Sequence, residues 1–514
     1  MTTITPDVRA RETYTLGPAP RKSFAFGLNL YAAIYVIVSL LFAVLISQVA
    51  GVGVALICAL VLALFGLPLI ARFQRKTLYQ WASLLIAWQI LTSRGENVYF
   101  SGRFSRVPEG TNKLPGVLYE TKLHEGWVQH LARDRFGVIE MPKTHQYTVV
   151  IECYPQGNEA IDQDSVDLAV FNWGSALNFI AMNGDVDGIT VVIENGVETG
   201  HRLYREVRSL AHKDTDFAYG GDGMFGGQLP AAMMLESAMH LTSGAPRLWA
   251  RVSITFRATA GRRGKDEAGE QIKEIARRLG GVLTVLNEAQ LNPRLLGMDE
   301  IVALTKRAYS PGMVDDLEEA EIQGSGHGLT WDDAGPMGHV ASMGSYAHDG
   351  CVSTTWEMAE RPKAAFTETV LRPLLDPSPD LVRKRVALCY RPHSPADSAR
   401  IIEDDTRSAR SGMNRIRRNG PTFEAEQRMD TALEQREDEG RGHGLTMIGV
   451  LVTVTMPEGE DIPKADAITK DLGVRSRLRL QRMWFTQDTA FAATLGLGVL
   501  LPSHTGRVGA KLGA

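Results

Sequence analysis

A chain of 514 residues is too long for one ordinary core and predicts two or three globular units. Its 55 basic and 59 acidic side chains leave a net charge of −4, which excludes a global electrostatic pull toward nucleic acid. Four cysteines, Cys58, Cys153, Cys351 and Cys389, stand far apart without a C-x-x-C pair or a histidine at ligand spacing, which argues against a disulfide scaffold and a structural zinc.

In chain order, a tail over residues 1–27 precedes a block with no charged residue from Ser23 to Ala71. Most of that block is LNLYAAIYVIVSLLFAVLISQVAGVGVALICALVLALFGLPLIA, roughly twice the ~20 apolar residues that cross a bilayer. Gly51 and Gly53 divide it, so residues 28–71 predict a two-helix transmembrane hairpin. Arg21 and Lys22 before it and Arg72, Arg75 and Lys76 after it place both ends in the cytoplasm, at the inner membrane. Residues 72–115 form a juxtamembrane segment, where Tyr79, Trp81 and Trp88 among aliphatics predict a helix at headgroup level.

Two α+β subdomains follow, 116–323 and 351–502, with a glycine-rich linker over 324–350 and a tail over 503–514. The first reads as a strand in HQYTVVIECYP, a helix through NEAIDQDSVDLAVFNWGSALNFIAMN and a strand in GITVVIENG. Then come a strand in LWARVSITFRAT, a helix in DEAGEQIKEIARRLG with a glycine stop, and a strand in GVLTVLNEAQ. The second replays this order: RKRVALCYRP ends in Cys389-Tyr390 as the earlier strand ends in Cys153-Tyr154. A helical run follows from Ala396, then a strand in LTMIGVLVTVTMPEG, a helix ending at Gly473 and a last strand in LRLQRMWF. The motif GHGLT occurs at Gly326 and again at Gly442, in places that are not equivalent.

Motifs for chemistry are sparse. GGDGMFGG, from Gly220 to Gly227, contains a literal G-x-G-x-x-G, yet no apolar strand precedes it, so it reads as a glycine loop rather than a nucleotide site. GRRGKDE, from Gly261 to Glu267, has its glycines too close for a phosphate loop and an aspartate where a hydroxyl is needed. Ser345, His348 and Asp349 are neighbours in a polar loop, whereas a catalytic set needs a hydrogen-bonded chain in space. Arg407, Arg410, Arg415, Arg417 and Arg418 lie beside Glu403, Asp404 and Asp405, the pattern of a salt-bridged helix pair rather than a DNA contact. No catalytic residue, cofactor or metal ligand is assigned.

The tail and tight hairpin resemble the PrgI-like small inner-membrane subunits of conjugative type IV secretion systems. AERPKAAFTETVLRPLL, RVALCYRPHSPADSARIIEDD, GHGLTMIGVLVTVT and LRLQRMWFTQDTAFAATLGLG resemble the N-terminal, non-ATPase region of VirB-type secretion ATPases. Over most of its length the chain looks like membrane proteins of actinobacterial mobile elements. In the ATPase family the last of these stretches leads into a motor domain, and here Ala514 follows about 15 residues later.

The resemblance implies a non-enzymatic inner-membrane component of a conjugative, type IV-like secretion machine. Its partners would be a separately encoded secretion ATPase and other channel subunits, within an oligomeric complex. An EccE-like type VII component and a membrane-tethered enzyme without a readable motif are the alternatives. Where the motor is split off, a docking surface must replace the covalent link. Interface cores favour aromatic and methionine side chains, which nominates Met483, Trp484, Phe485 and Phe491 as anchors. Leu478, Leu480 and Met483 can equally continue a core strand.

Overall fold

The computed structural model describes residues 14, 30–70, 72–73, 76–101, 113–128, 135–155, 161–198, 207, 233–237, 246–258, 267–323, 326–360, 362, 366–381, 383–413, 423–440 and 444–504. The chain begins with helices α1 (Leu30–Ala50) and α2 (Val52–Ile70), a ribbon of β1 (Arg72–Phe73) and β2 (Lys76–Thr77), helix α3 (Leu78–Ser93) and strand β3 (Val98–Phe100). A first unit follows: β4 (Lys122–Trp127), β5 (Arg135–Met141), β6 (Gln146–Cys153), α4 (Gln163–Ala181), β7 (Val186–Val197), β8 (Pro246–Arg257), α5 (Glu267–Glu288) and β9 (Pro293–Leu295). Helices α6 (Met298–Tyr309) and α7 (Val314–Gln323) lead to a second unit. It contains β10 (Gly338–Ala341), β11 (Tyr346–His348), β12 (Cys351–Glu360), α8 (Arg372–Leu375), β13 (Arg383–Pro392), α9 (Pro395–Met413), α10 (Phe423–Gly440), β14 (Thr446–Pro457), α11 (Ile462–Arg475) and β15 (Arg479–Arg482). Helices α12 (Gln487–Thr494) and α13 (Leu501–His504) close the described chain.

The α+β class is as expected, and its organisation is a single sheet. Thirteen strands run in the order β3-β10-β11-β12-β14-β13-β7-β8-β6-β5-β4, with β15 beside β12 and β9 beside β6. From the middle outward the two halves mirror each other: β13, β14, β12, β11, β10 on one side and β7, β8, β6, β5, β4 on the other. The helices between β8 and β9 and between β14 and β15, α5 and α11, hold matching places. The halves meet where β13 pairs antiparallel with β7, from Lys384 opposite Asn195 to Tyr390 opposite Ile189.

This pairing corrects the repeat register read from sequence. The strand ending in Cys389-Tyr390 is the counterpart of β7, and β12 is the counterpart of the strand ending in Cys153-Tyr154. The stretch 324–350 is likewise no free linker, because it carries β10 and β11, the outer strands of the second unit. Its glycines hid an alternation in which His339, Ala341, Tyr346 and His348 are buried.

A second correction concerns α5, which runs through Gly280 and Gly281 where a helix stop and a new strand were expected. Two mid-helix glycines cost about 1 kcal/mol each, and the apolar face outweighs them. Ile272, Ile275, Leu279, Val282 and Leu286 recur at helical spacing and are buried under the sheet. At Gly281 an added Cβ would stand 3.2 Å from the Phe179 ring, so the glycine admits α4.

Both faces of the sheet are covered. On one face α5 packs over Phe136, Val149, Ile151 and Ile254, and α11 over Val386, Val452 and Val454. On the other, Ile139, Val150, Val192, Ala387 and Leu451 meet α6, α12 and α3. Double coverage is why the strands read as nearly unbroken apolar runs.

Helices α1 and α2 form the expected apolar hairpin, turning at Gly51 with φ +85°. The Tyr35 hydroxyl donates to the Leu62 carbonyl at 2.8 Å, and its ring lies against Gly66. The bilayer-spanning reading is corrected: among the described residues, no helix is long and apolar enough to cross a membrane. The transmembrane element of the fold class, the multi-pass inner-membrane placement and the assignment of both termini to the cytoplasm fall with it.

Candidate partner-docking region

The segment from β15 to α13 is built as a strap across the mirror axis of the sheet. β15 pairs with β12, placing Arg482 opposite Trp356 and Leu480 opposite Met358. After β15 the Gln487 side chain, 1 % exposed, replaces a strand: its Oε1 accepts from the Thr355 N–H at 2.8 Å and its Nε2 donates to the Met483 carbonyl. Helix α12 then packs over β12, β13 and β14. Beyond it, the Leu495 carbonyl accepts from Arg251 Nε at 3.2 Å, and the Gly496 carbonyl accepts from the Ser253 hydroxyl. Leu500 fills the space over Gly188, and Gln146 Nε2 donates to the Ser503 hydroxyl at 3.3 Å. The strap therefore begins on the second unit and ends on the first.

The four nominated anchors separate on this path. Phe491 is 0 % exposed and Met483 6 %, both in the core above the sheet. The Phe491 ring meets Tyr309 at 5.0 Å, Tyr346 at 5.3 Å and His348 at 4.9 Å, with the Arg385 guanidinium 5.3 Å from its centroid. Trp484 and Phe485 are half-buried at the strap's outer bend. Phe485 adopts φ +67° and donates its N–H to the Met343 carbonyl at 2.7 Å. Arg482 stacks over the Trp484 ring at 5.2 Å, and Gly344 leaves the room that the ring occupies.

Helix α3 completes an aromatic ledge at this bend. Its N-terminus is fixed by a capping box, the Gln80 N–H donating to Thr77 Oγ1 at 3.3 Å and the Thr77 N–H to Gln80 Oε1 at 2.8 Å. Trp81 and Trp88 then reach Phe485, each with ring centroids 6.1 Å away. The headgroup-level expectation missed this docking of one face onto the globular unit. Tyr79, Ile86 and Ile90, on the face of α3 turned away from Phe485, stay exposed, as does Met343.

Removing one buried anchor and one at the bend separates core from ledge. Phe491→Ala is expected to cost about 4 kcal/mol, the range for a large buried ring. Trp484→Ala is expected to cost about 1 kcal/mol. Urea unfolding of the two variants checks this, and equal losses would place Trp484 in the core.

Around the ledge lie networks that sequence reading missed. Glu194, 1 % exposed in the central strand β7, accepts from Arg251 Nη1 at 2.9 Å and from Arg385 Nη2 at 3.3 Å. Burial alone would raise its carboxyl, but Arg385, Arg251, Arg307 and Arg383 outweigh it and hold the group well below the ordinary carboxylate range. The available signal was a charge inside the apolar runs VVIENG and LWARVSIT, and three charges leading directly into the apolar run of RKRVALC. His348 is also buried, between the Tyr309 carbonyl at 2.5 Å and the Ser353 hydroxyl at 2.8 Å, which meets Thr455 Oγ1 at 2.7 Å. Asp349 turns away to the Ser310 hydroxyl and the backbone N–H groups of Met337 and Gly338. The Ser345, His348 and Asp349 neighbours thus form no relay.

Of the arginine cluster, Arg407 pairs with Glu403 at 3.0 Å and Asp404 at 3.5 Å on α9, as a salt-bridged helix would. Arg415, Arg417 and Arg418, and the GGDGMFGG loop, lie outside the described residues. Among the described residues, no group of three or more His, Cys, Asp or Glu side chains could hold a metal ion.

Residues 21–80, covering the hairpin and the start of α3, match a domain of unknown function, DUF8461. No curated protein matches the chain.

Proposed function

We propose that this chain is a non-enzymatic component of a conjugative, type IV-like secretion machine, and that it docks a separately encoded ATPase. The observation that supports this reading is the half-buried pair Trp484 and Phe485 at the bend of the strap, where Phe485 is packed by Trp81 and Trp88 of α3. That strap resembles the stretch ahead of the ATPase motor. A half-buried tryptophan beside a stacked arginine, set on a strap hydrogen-bonded to a rigid sheet, has the composition of an interface anchor. Because the strap is held by both halves, a partner bound there would feel a surface already ordered, which lowers the entropy lost on binding.

The test mixes the purified full chain with a purified, separately encoded Walker-loop ATPase from the same source. Co-elution as one complex, with a Kd of roughly micromolar or tighter, is the expected result. Separate elution at concentrations well above that range would contradict the proposal.

A further inference from the structure

At the junction of β13, β7 and β8 the fold buries more guanidinium than it neutralises. Arg251 and Arg385, each 1 % exposed, share the single carboxylate of Glu194. Arg383 donates from Nη1 to the Arg307 carbonyl at 2.7 Å, and the Arg307 guanidinium lies 4.7 Å from the Trp249 ring centroid. On the other side of this site, Arg247 is matched by Glu198 at 3.4 Å and Glu318 at 3.0 Å. The groups nearer Glu194 are not matched. Arg251 Nη2, Arg385 Nε and Nη1, Arg307 Nε and Trp249 Nε1 are all buried without a hydrogen-bond partner.

Every one of these orphaned atoms is an N–H donor, and four of the five belong to cations. A buried donor without an acceptor costs about 1–3 kcal/mol, and more when charged. Several together, around one carboxylate, describe a site built for an acceptor carrying negative charge. Water could satisfy the hydrogen bonds but would leave the charge excess in place. We propose that this junction binds a small oxyanion of the phosphate class, held by Arg385, Arg251 and Arg307 against the two halves of the sheet. Guanidinium groups suit such an ion because their planar forks bond two oxygens at once. The Leu495 carbonyl on Arg251 and the Phe491 ring on Arg385 put the strap over the site, so an occupied junction would tie strap and sheet together. This inference stands independently of the docking proposal.

The experiment titrates the full chain, prepared free of phosphate and sulfate, with inorganic phosphate, with glycerol phosphate and with sodium chloride at matched ionic strength. Calorimetry and the thermal midpoint are read together. Saturable binding of inorganic phosphate, with a rise in midpoint that chloride does not reproduce, is expected. Arg307→Gln, a half-buried position outside the Glu194 pair, should weaken that binding at least tenfold and remove the phosphate-induced rise in midpoint, read against the variant's own phosphate-free value. Arg307→Lys, which keeps the charge but loses the two-oxygen fork, serves in its place if that variant does not fold. Equal binding of glycerol phosphate would assign the site to an esterified phosphate, and rejection of it to the free ion. A response that follows ionic strength alone, or undiminished binding by the folded variant, would overturn the proposal.

Discussion

Acidification from pH 7 to about 4.5 should remove a large part of the stability of the second unit. Burial pushes both His339 and His348 down to about 4, from an ordinary value of 6.5. For His348, burial is joined by Arg385 and His339, and opposed by the Tyr309 carbonyl and Asp349. The unfolded chain therefore binds more protons than the folded one between pH 6.5 and 4. Stability is complete above 6.5 and falls with pH through that window. Each histidine contributes on the order of 3 kcal/mol over the interval. Asp488 acts in the opposite direction, because burial raises its carboxyl and folding then favours its protonated form. Urea midpoints at pH 7, 6 and 5 give the slope directly. A loss approaching two protons per molecule is expected, and a flat profile would place both rings in contact with water.

Gly498→Ala should be among the most damaging single-methyl changes in the chain. The residue has φ +88°, and an added Cβ would stand 1.9 Å from Thr148 Oγ1 and 2.8 Å from Thr148 Cβ. The hydroxyl cannot swing aside freely, since it is hydrogen-bonded to Thr255 Oγ1 at 3.1 Å within the buried sheet. Left-handed backbone at a non-glycine residue costs about 1–2 kcal/mol and overpacking another 1–3. With the threonine pair disturbed, a total of about 5 kcal/mol follows, against the 5–15 that a domain holds. Gly280→Ala on α5 is the control, because nothing lies within 4 Å of its added Cβ. It should stabilise by about 0.5–1 kcal/mol. Chemical unfolding of both variants measures the contrast, and similar midpoints would mean that the strap does not sit where described.

Sequence patterning made the strands legible where both sheet faces are apolar, as in QYTVVIEC and GVLVTVT, because burial on two sides leaves only β-branched and aromatic runs. It failed where a local signal was outweighed by packing. Gly280 and Gly281 read as a stop, yet the buried stripe from Ile272 to Leu286 carries the helix through them. Glycine density over 324–350 concealed two short strands, since three or four residues are too few to show a period. The repeat was visible as an order of elements, but its register needed the strand pairing, because Cys-Tyr at two strand ends is a local coincidence.

The nominated anchors show the same division. Apolarity marked Met483, Trp484, Phe485 and Phe491 together, and only the path of the strap separates the buried pair from the bend. Buried charge was the least legible feature. A glutamate in β7 and arginines in β8 and β13 become one network only when those strands lie side by side.

Whether the ledge is a docking surface is tested most directly by Trp484→Ala, with ATPase recruitment and unfolding followed on the same preparation. Recruitment of the separately encoded ATPase is predicted to fall at least tenfold, about 1.4 kcal/mol of binding, while the thermal midpoint stays within about two degrees of the parent. Undiminished recruitment by a variant that folds normally would contradict the account and place the docking surface elsewhere.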